Sequence, residues 1–312
     1  IFEQVASGGC QSYLVGCGDT GAAAVIDPEL RQLNRYQALA LQHGVRIRYI
    51  IDTHTHADHF SGSKQLGETL NAPIVAHQNS PSPYITMRVS DGDLIKVGNL
   101  RLSVLHTPGH TRDAICLVMA DRVFTGDTLL IGATGRTDLP GGNPEELYDS
   151  LFNKLLALDP NLVVYPAHDY KGRTCSTLEE EKHSNPRLQK KEREDFISMM
   201  RAHSPSMPEH LTEALRVNMT GATSVAQLLA EAAAQVPFMA MDEVKARVSG
   251  GANDIIVLDV REKEAFEAGH IPQARSLPRG QLELRVNEAF PDPTVRIVTY
   301  CEVGKVSTLA AA

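Results

Sequence analysis

The run Thr53-His54-Thr55-His56-Ala57-Asp58-His59 constrains this chain more than any other feature, because it sets four metal-binding side chains within six residues. Imidazoles and a carboxylate crowded on one loop would leave charge and unmet polar groups together unless a cation joins them. Further donors recur along the chain at His110, Asp127 and His168. Imidazole and carboxylate suit zinc, iron or manganese, and the residue types alone do not separate these. His43, His77, His106, His183, His203 and His210 stand alone, and read as surface or satisfied core residues.

Each donor follows an apolar, β-rich run. Residues 22–26 read as a strand broken by Asp27-Pro28, 30–43 as a helix stopped by Gly44, and 48–51 as a strand delivering the chain into the histidine run. Residues 94–97 and 100–105, joined by Gly98-Asn99, read as a hairpin that ends just before His110. A strand pair over 114–119 and 122–124 leads to Asp127, and a strand over 162–165 leads to His168. Such a layout is common in sites, since a rigid sheet positions loops that carry the chemistry.

With 312 residues, the chain has room for two domains. An apolar share of 42% and a charged share of 22% are those of an ordinary globular protein. The net charge of −8 argues against nucleic acid or an anionic membrane as a partner. Cys10, Cys17, Cys116, Cys175 and Cys301 are odd in number and widely spaced, so reduced thiols in a cytoplasmic setting are expected rather than a disulfide framework. No basic and apolar leader is visible at Ile1-Phe2-Glu3-Gln4, and no apolar run is long enough for a membrane span. Residues 177–203 read as charged and helical, after which Pro205, Pro208 and 220–224 break the pattern. The expected layout is a first domain over 1–218, a linker over 219–239 with an alanine-rich helix at 225–234, and a second α/β domain over 240–312. In that second domain, helices at 242–248 and 262–268 alternate with strands at 255–258 and 296–299.

The donor series resembles the metallo-β-lactamase superfamily, which implies an αββα sandwich. In its two-metal members, His54, His56 and His110 would hold one metal, Asp58, His59 and His168 a second, and Asp127 would bridge them. That implies a di-zinc thioester hydrolase of the glyoxalase II kind, acting through a metal-bound hydroxide.

Two further stretches shift the expectation. Phe124-Thr125-Gly126-Asp127-Thr128-Leu129-Leu130, continuing to Gly135-Arg136-Thr137-Asp138, is one. The other runs from His168-Asp169-Tyr170-Lys171-Gly172 through Ser176-Thr177 and Glu180-Glu181-Lys182 to Asn185-Pro186-Arg187-Leu188. Together they resemble the persulfide dioxygenase (sulfur dioxygenase) branch, the family of the ethylmalonic encephalopathy protein, over about residues 1–215. The resemblance implies one Fe(II) per chain on His54, His110 and Asp127, with His56, Asp58, His59 and His168 around it or lining a vacant second site. Two histidines and a carboxylate leave iron three open positions, enough for a persulfide sulfur and dioxygen. The implied substrate is glutathione persulfide, oxidised by O2 to sulfite with release of glutathione. Because glutathione carries two carboxylates, Arg136, Lys171 and Arg173 are the cationic candidates for its binding, with Tyr170 as a hydrogen-bond donor. Thr134 stands where some relatives carry a cysteine, so no role resting on that cysteine transfers.

Asp259-Val260-Arg261-Glu262, Gly269-His270-Ile271-Pro272 and Tyr300-Cys301-Glu302-Val303-Gly304-Lys305-Val306-Ser307 resemble a rhodanese (sulfurtransferase) domain. A thiolate at a strand end facing backbone N–H groups is a suitable nucleophile, and the resemblance makes Cys301 the carrier of a persulfide. Many rhodaneses carry arginine where this loop has Lys305-Val306. The chain stops at Ala312, in the first turns of the following helix, so this domain is expected to be C-terminally incomplete. The combined expectation is persulfide oxidation coupled to sulfur transfer between thiosulfate, sulfite and glutathione. The di-zinc hydrolase and a non-enzymatic sulfane-sulfur carrier or sensor are the alternatives, and a homodimer is left open.

Overall fold

The computed structural model describes residues 1–203, 205, 211–223, 225–250 and 255–312. Compact units form over Ile1–Ala222 and Thr223–Ala312. In the first, strands β1 (Phe2–Ser7), β2 (Cys10–Cys17), β3 (Ala22–Ile26), β4 (Arg46–Ile51), β5 (Ile74–His77) and β6 (Met87–Val89) form one sheet in sequence order. The second sheet contains β7 (Leu94–Val97), β8 (Leu100–His106), β9 (Ile115–Val118), β10 (Arg122–Gly126), β13 (Val163–Pro166) and β14 (Ser176–Thr177). A ribbon of β11 (Leu129–Leu130) and β12 (Ala133–Thr134) lies between β10 and β13 in sequence.

Side chains alternate across a strand, and here both faces are dry. Along β2 and β3, Tyr13, Val15, Ala24 and Ile26 join Ile95, Leu102, Ile115, Leu117 and Phe124 in a core between the sheets. Leu14, Ala23 and Val25 face the other way, onto Tyr36 and Ala40 of α1 (Leu33–Gln42) and Leu66 of α2 (Ser63–Leu70). Those helices are the crossovers that the parallel pairs β3–β4 and β4–β5 require. The outer face of the second sheet is covered by α3 (Pro144–Tyr148), α4 (Leu178–Ser184) and α5 (Arg193–Ala202), through Leu147, Leu178, Phe196 and Met200. The layers therefore run α/β/β/α, the sandwich that the donor series implied.

Most expected elements sit within a residue or two of their observed bounds. Strand β4 begins earlier than expected, because Arg46 and Arg48 point outward on either side of buried Ile47. Residues 219–239 are not an open connector. They contain the end of α6 (Leu211–Thr220) and all of α7 (Val225–Gln235), which packs on α11 (Lys305–Ala311). Pro208, His210 and Ser224 lie outside the described residues.

The second unit holds a parallel sheet ordered β16 (Arg275–Ser276), β15 (Ile256–Asp259), β17 (Ile297–Tyr300). Helices α8 (Met241–Ser249), α9 (Lys263–Ala268) and α10 (Leu282–Ala289) accompany it, around Leu258, Val260, Leu277 and Phe290.

Candidate metal centre

The donors gather where strands of both sheets end. The histidine run follows β4, His110 follows β8, Asp127 follows β10 and His168 follows β13. Backbone bonds stitch these ends together: Ile115 N–H donates to Thr53 O (2.8 Å) and Ala167 N–H to Gly126 O (2.9 Å). Gly126 has φ +52, and a Cβ there would lie 2.7 Å from Thr53 Oγ1, so only glycine lets Asp127 come this close to the histidine loop. Gly109, with φ +137 and the Leu147 backbone 2.4 Å from where a Cβ would sit, does the same for His110.

His54, His110 and Asp127 place their ligand atoms within 4.8 Å of one another, all buried or nearly so. The partners of each ring decide which nitrogen is bare. Thr53 spends its single hydroxyl proton on Asp27 Oδ2 (2.8 Å), so toward His54 Nδ1 (3.0 Å) it can only accept. His54 Nδ1 therefore carries the proton and Nε2 is a free lone pair. The Arg136 carbonyl accepts from His110 Nδ1 at 2.8 Å and leaves His110 Nε2 free in the same way. Nε2 of His54 and His110 lie 4.0 and 3.6 Å from Asp127 Oδ2. Burial, then neighbouring His56, keeps the His54 ring neutral. Burial alone would raise Asp127, but His168, His54 and His110 overcome it and hold its carboxyl well below the usual range. Two bare imidazole nitrogens and an ionised carboxylate on three outer-anchored side chains fit a divalent transition metal.

The remaining donors are engaged differently. His168 Nδ1 donates to Asp127 Oδ1 at 2.7 Å, and its Nε2 lies 2.7 Å from Asp58 Oδ2, though outside hydrogen-bonding geometry. Burial opposes the charge on His168, but the two carboxylates raise it well above the ordinary histidine value. His59 Nδ1 lies 3.2 Å from Asp58 Oδ1, while His56 turns Nε2 toward Asp27 Oδ1 at 3.2 Å. His56 Nδ1 and His59 Nε2 have no hydrogen-bond partner among the described residues.

The structure adds residues to which the sequence gave no role. Cys10 joins Asp58, His59 and His168 in a second group of donors within 4.8 Å, because Gln11 N–H and Asp169 N–H bond across to Ala167 and Gly9. Its widely spaced position had read only as a reduced thiol. Asp27, read as a strand breaker, supports Thr53 and His56. Asn218 on α6 donates to the carbonyls of His56 (2.9 Å) and His59 (2.8 Å) and accepts from Ser61 N–H (3.0 Å), clamping the loop's backbone. No spacing in the sequence signals a clamp this distant.

A cavity of about 370 Å³ opens over this site, lined by His110, Asp127, His168, Arg136, Tyr170, Arg187 and His203 among others. Arg136 and Tyr170 thus reach the pocket, Tyr170 stacked on His168 with centroids 5.9 Å apart. Lys171 and Arg173 do not line it. Lys171 is exposed, and Arg173 is held on Asp169 at 2.7 Å. His203, expected to be an isolated histidine, lines the cavity instead.

In the second unit, Cys301 directly follows β17. Ser307 N–H donates to its Sγ at 3.4 Å, and Gly304 takes φ +81 to turn the chain into α11. Burial would raise the thiol, but Ser307 and neighbouring backbone N–H groups lower it.

Residues 6–168 match the metallo-beta-lactamase superfamily and residues 240–312 a rhodanese-like domain. The mitochondrial persulfide dioxygenase ETHE1 of Bos taurus is 37% identical over 210 residues, which is 67% of this chain and 82% of that protein. This chain belongs to the persulfide dioxygenase family. It is an enzyme of that family with a rhodanese-like domain fused behind it. The crystal structure of ETHE1 from Myxococcus xanthus superposes with TM-score 0.69 at 40% identity, covering 70% of this chain and 98% of that one. A metallo-beta-lactamase structure from Staphylococcus aureus covers 98% of this chain and 92% of its own, at 26% identity and TM-score 0.67. All five cysteines are unpaired, and no helix among the described residues is long and apolar enough to cross a membrane.

Proposed function

We propose that the first unit oxidises glutathione persulfide with dioxygen to sulfite and glutathione at a single iron(II) held by His54, His110 and Asp127. The observation that carries this reading is the pair of bare Nε2 atoms converging on Asp127 Oδ2 while His168 Nδ1 donates to Asp127 Oδ1. Iron bound there would supply the redox chemistry between a sulfur and dioxygen at its open positions. The chain's own groups prepare that chemistry: Thr53 and the Arg136 carbonyl fix the two rings, and His168 holds a proton on Nδ1 against Asp127 Oδ1. The cavity is of the size that takes a tripeptide thiol and buries most of it.

For the second unit the reading is sulfur transfer between thiosulfate and glutathione through a Cys301 persulfide, supported by the lowered thiol and the N–H groups facing it. Linking the two would raise the effective concentration of the shared persulfide.

His56 Nδ1 and His59 Nε2, both buried without partners, favour a second reading, a two-metal thioester hydrolase. Metal analysis combined with oxygen uptake separates them. About one iron per chain, with uptake driven by glutathione persulfide, is expected. Two zinc ions with thioester cleavage would establish the hydrolase, and neither activity would leave a sulfur carrier.

A further inference from the structure

We propose that Cys10, with His59 as its base, is a sulfur-accepting nucleophile in the wall of the metal pocket and takes the outer sulfur of a persulfide onto its own thiol. That the persulfide is glutathione persulfide rests on the function proposed above; the acceptor rests on the following geometry.

Cys10, Asp58, His59 and His168 hold their ligand atoms within 4.8 Å of one another. Within that group His59 turns Nδ1 to Asp58 Oδ1 at 3.2 Å. An ionised carboxylate only accepts, so His59 Nδ1 carries the proton and Nε2 is a lone pair. That nitrogen has no hydrogen-bond partner among the described residues, although the side chain is only 6% exposed. A bare imidazole nitrogen beside a thiol, with a carboxylate fixing the far side of the ring, has the order of nucleophile, base and orienter that activates a cysteine. Cys116, Cys175 and Cys301 meet hydroxyls instead, those of Thr107 (3.3 Å), Thr174 (3.9 Å) and Ser307 (3.5 Å).

The local chain builds this position and leaves it reachable. Gln11 N–H donates to Ala167 O (2.7 Å) and Asp169 N–H to Gly9 O (2.9 Å), which holds Cys10 against His168. Asp58 and His168 also line the metal cavity, so the thiol stands behind a wall that the substrate touches from the other side. Cys10 keeps 8% of its surface exposed. Tyr170 lies over the turn that leads to it: a Cβ on Gly9 would stand 2.6 Å from the Tyr170 ring. That ring is 72% exposed, and turning it aside opens the approach.

In the step, the Cys10 thiol gives its proton to His59 Nε2 and Sγ bonds to the outer sulfur of the persulfide. The S–S bond of glutathione persulfide breaks, glutathione leaves as a thiolate, and His59 returns the proton to it. Cys10 persulfide and glutathione are the products, and no oxidant is consumed.

Anaerobic exposure of the iron-loaded full chain to glutathione persulfide, followed by alkylation and mass mapping of every cysteine, tests the assignment without turnover. Cys10 is expected to gain one sulfur faster than the exposed Cys175 in the same sample. His59→Gln should slow the gain at Cys10 by roughly 10²–10⁴-fold, the range of general base catalysis, and leave Cys175 unchanged. Tyr170→Ala should quicken it at Cys10 alone. If His59→Gln melts early, Asp58→Asn carries the comparison, since it keeps the shape and weakens the hold on the base, so the gain at Cys10 should again slow. A Cys10 that gains sulfur no faster than Cys175, or at the same rate in both variants, would overturn the proposal. So would a silent Cys10, whether it is closed off or held by a metal ion in the same group. A Cys10 that gains sulfur in a protein with no oxygen uptake would sink the dioxygenase reading alone.

Discussion

Thr53 has one proton to give, and where that proton goes sets the electronic character of the centre. With the proton on Asp27, His54 keeps Nε2 as its bare nitrogen, the atom proposed to face the metal. Replacing Thr53 with valine keeps the shape and removes the hydroxyl, freeing the ring to take either tautomer. Iron affinity, followed by competition with a chelator, should drop roughly 10- to 100-fold, as for other outer partners of metal ligands. His110→Ala removes a proposed ligand outright. Iron content and oxygen uptake should both vanish, while sulfur transfer through Cys301 persists; retained uptake would show that the ligand assignment is wrong. His77, which belongs to none of the donor groups, reports on stability. Burial, then stacking neighbour His106 at 3.8 Å, pushes its pKa down to about 4. A depressed value means that the native state holds fewer protons than the unfolded one between about pH 6.5 and 4. Its stabilising contribution is present above that window and lost as pH falls through it. His77→Phe keeps the stacked, buried ring and removes the titration, so the slope of melting temperature against pH should flatten there. An unchanged slope would show that His77 does not titrate in this window.

At the scale of elements, α6 does more than cap the first unit. Asn218 satisfies three backbone groups of the loop from His56 to Ser61, and it is buried. Asn218→Leu would strand them, at about 1–3 kcal/mol for each group left unsatisfied. A lower denaturant midpoint together with faster iron loss is expected; a lower midpoint with normal iron retention would limit Asn218 to holding the fold. The contrast with the histidine run shows what is legible in sequence. His54, His110 and Asp127 stand next to strand ends; β8 alternates apolar residues with Arg101 and Ser103, and β3 is a short continuous apolar run. The second group was read without Cys10, because the link between β2 and His168 is made by backbone bonds that carry no side-chain signature. Helix α2 escaped because its Ser-Lys-Gln start is polar and it buries little besides Leu66.

For the molecule as a whole, each compact unit carries its own core and its own candidate chemistry. That separation predicts independent knockouts. Cys301→Ser should abolish transfer from thiosulfate while oxygen uptake with supplied glutathione persulfide continues, measured on the same preparation. Loss of uptake in that variant would mean that the thiol takes part in the first reaction.

His54, His110 and Asp127, the proposed ligands, each stand on a loop beyond a strand, and none belongs to the apolar seam between the two sheets. Heritable damage to such an enzyme should therefore come in two kinds. Changes in the seam would reduce the amount of protein in the cell, because a loss of only 1–2 kcal/mol alters abundance several-fold. Changes on the loops would leave normal quantities of a folded, inert chain, invisible to any assay that counts molecules and apparent only to one that follows sulfur.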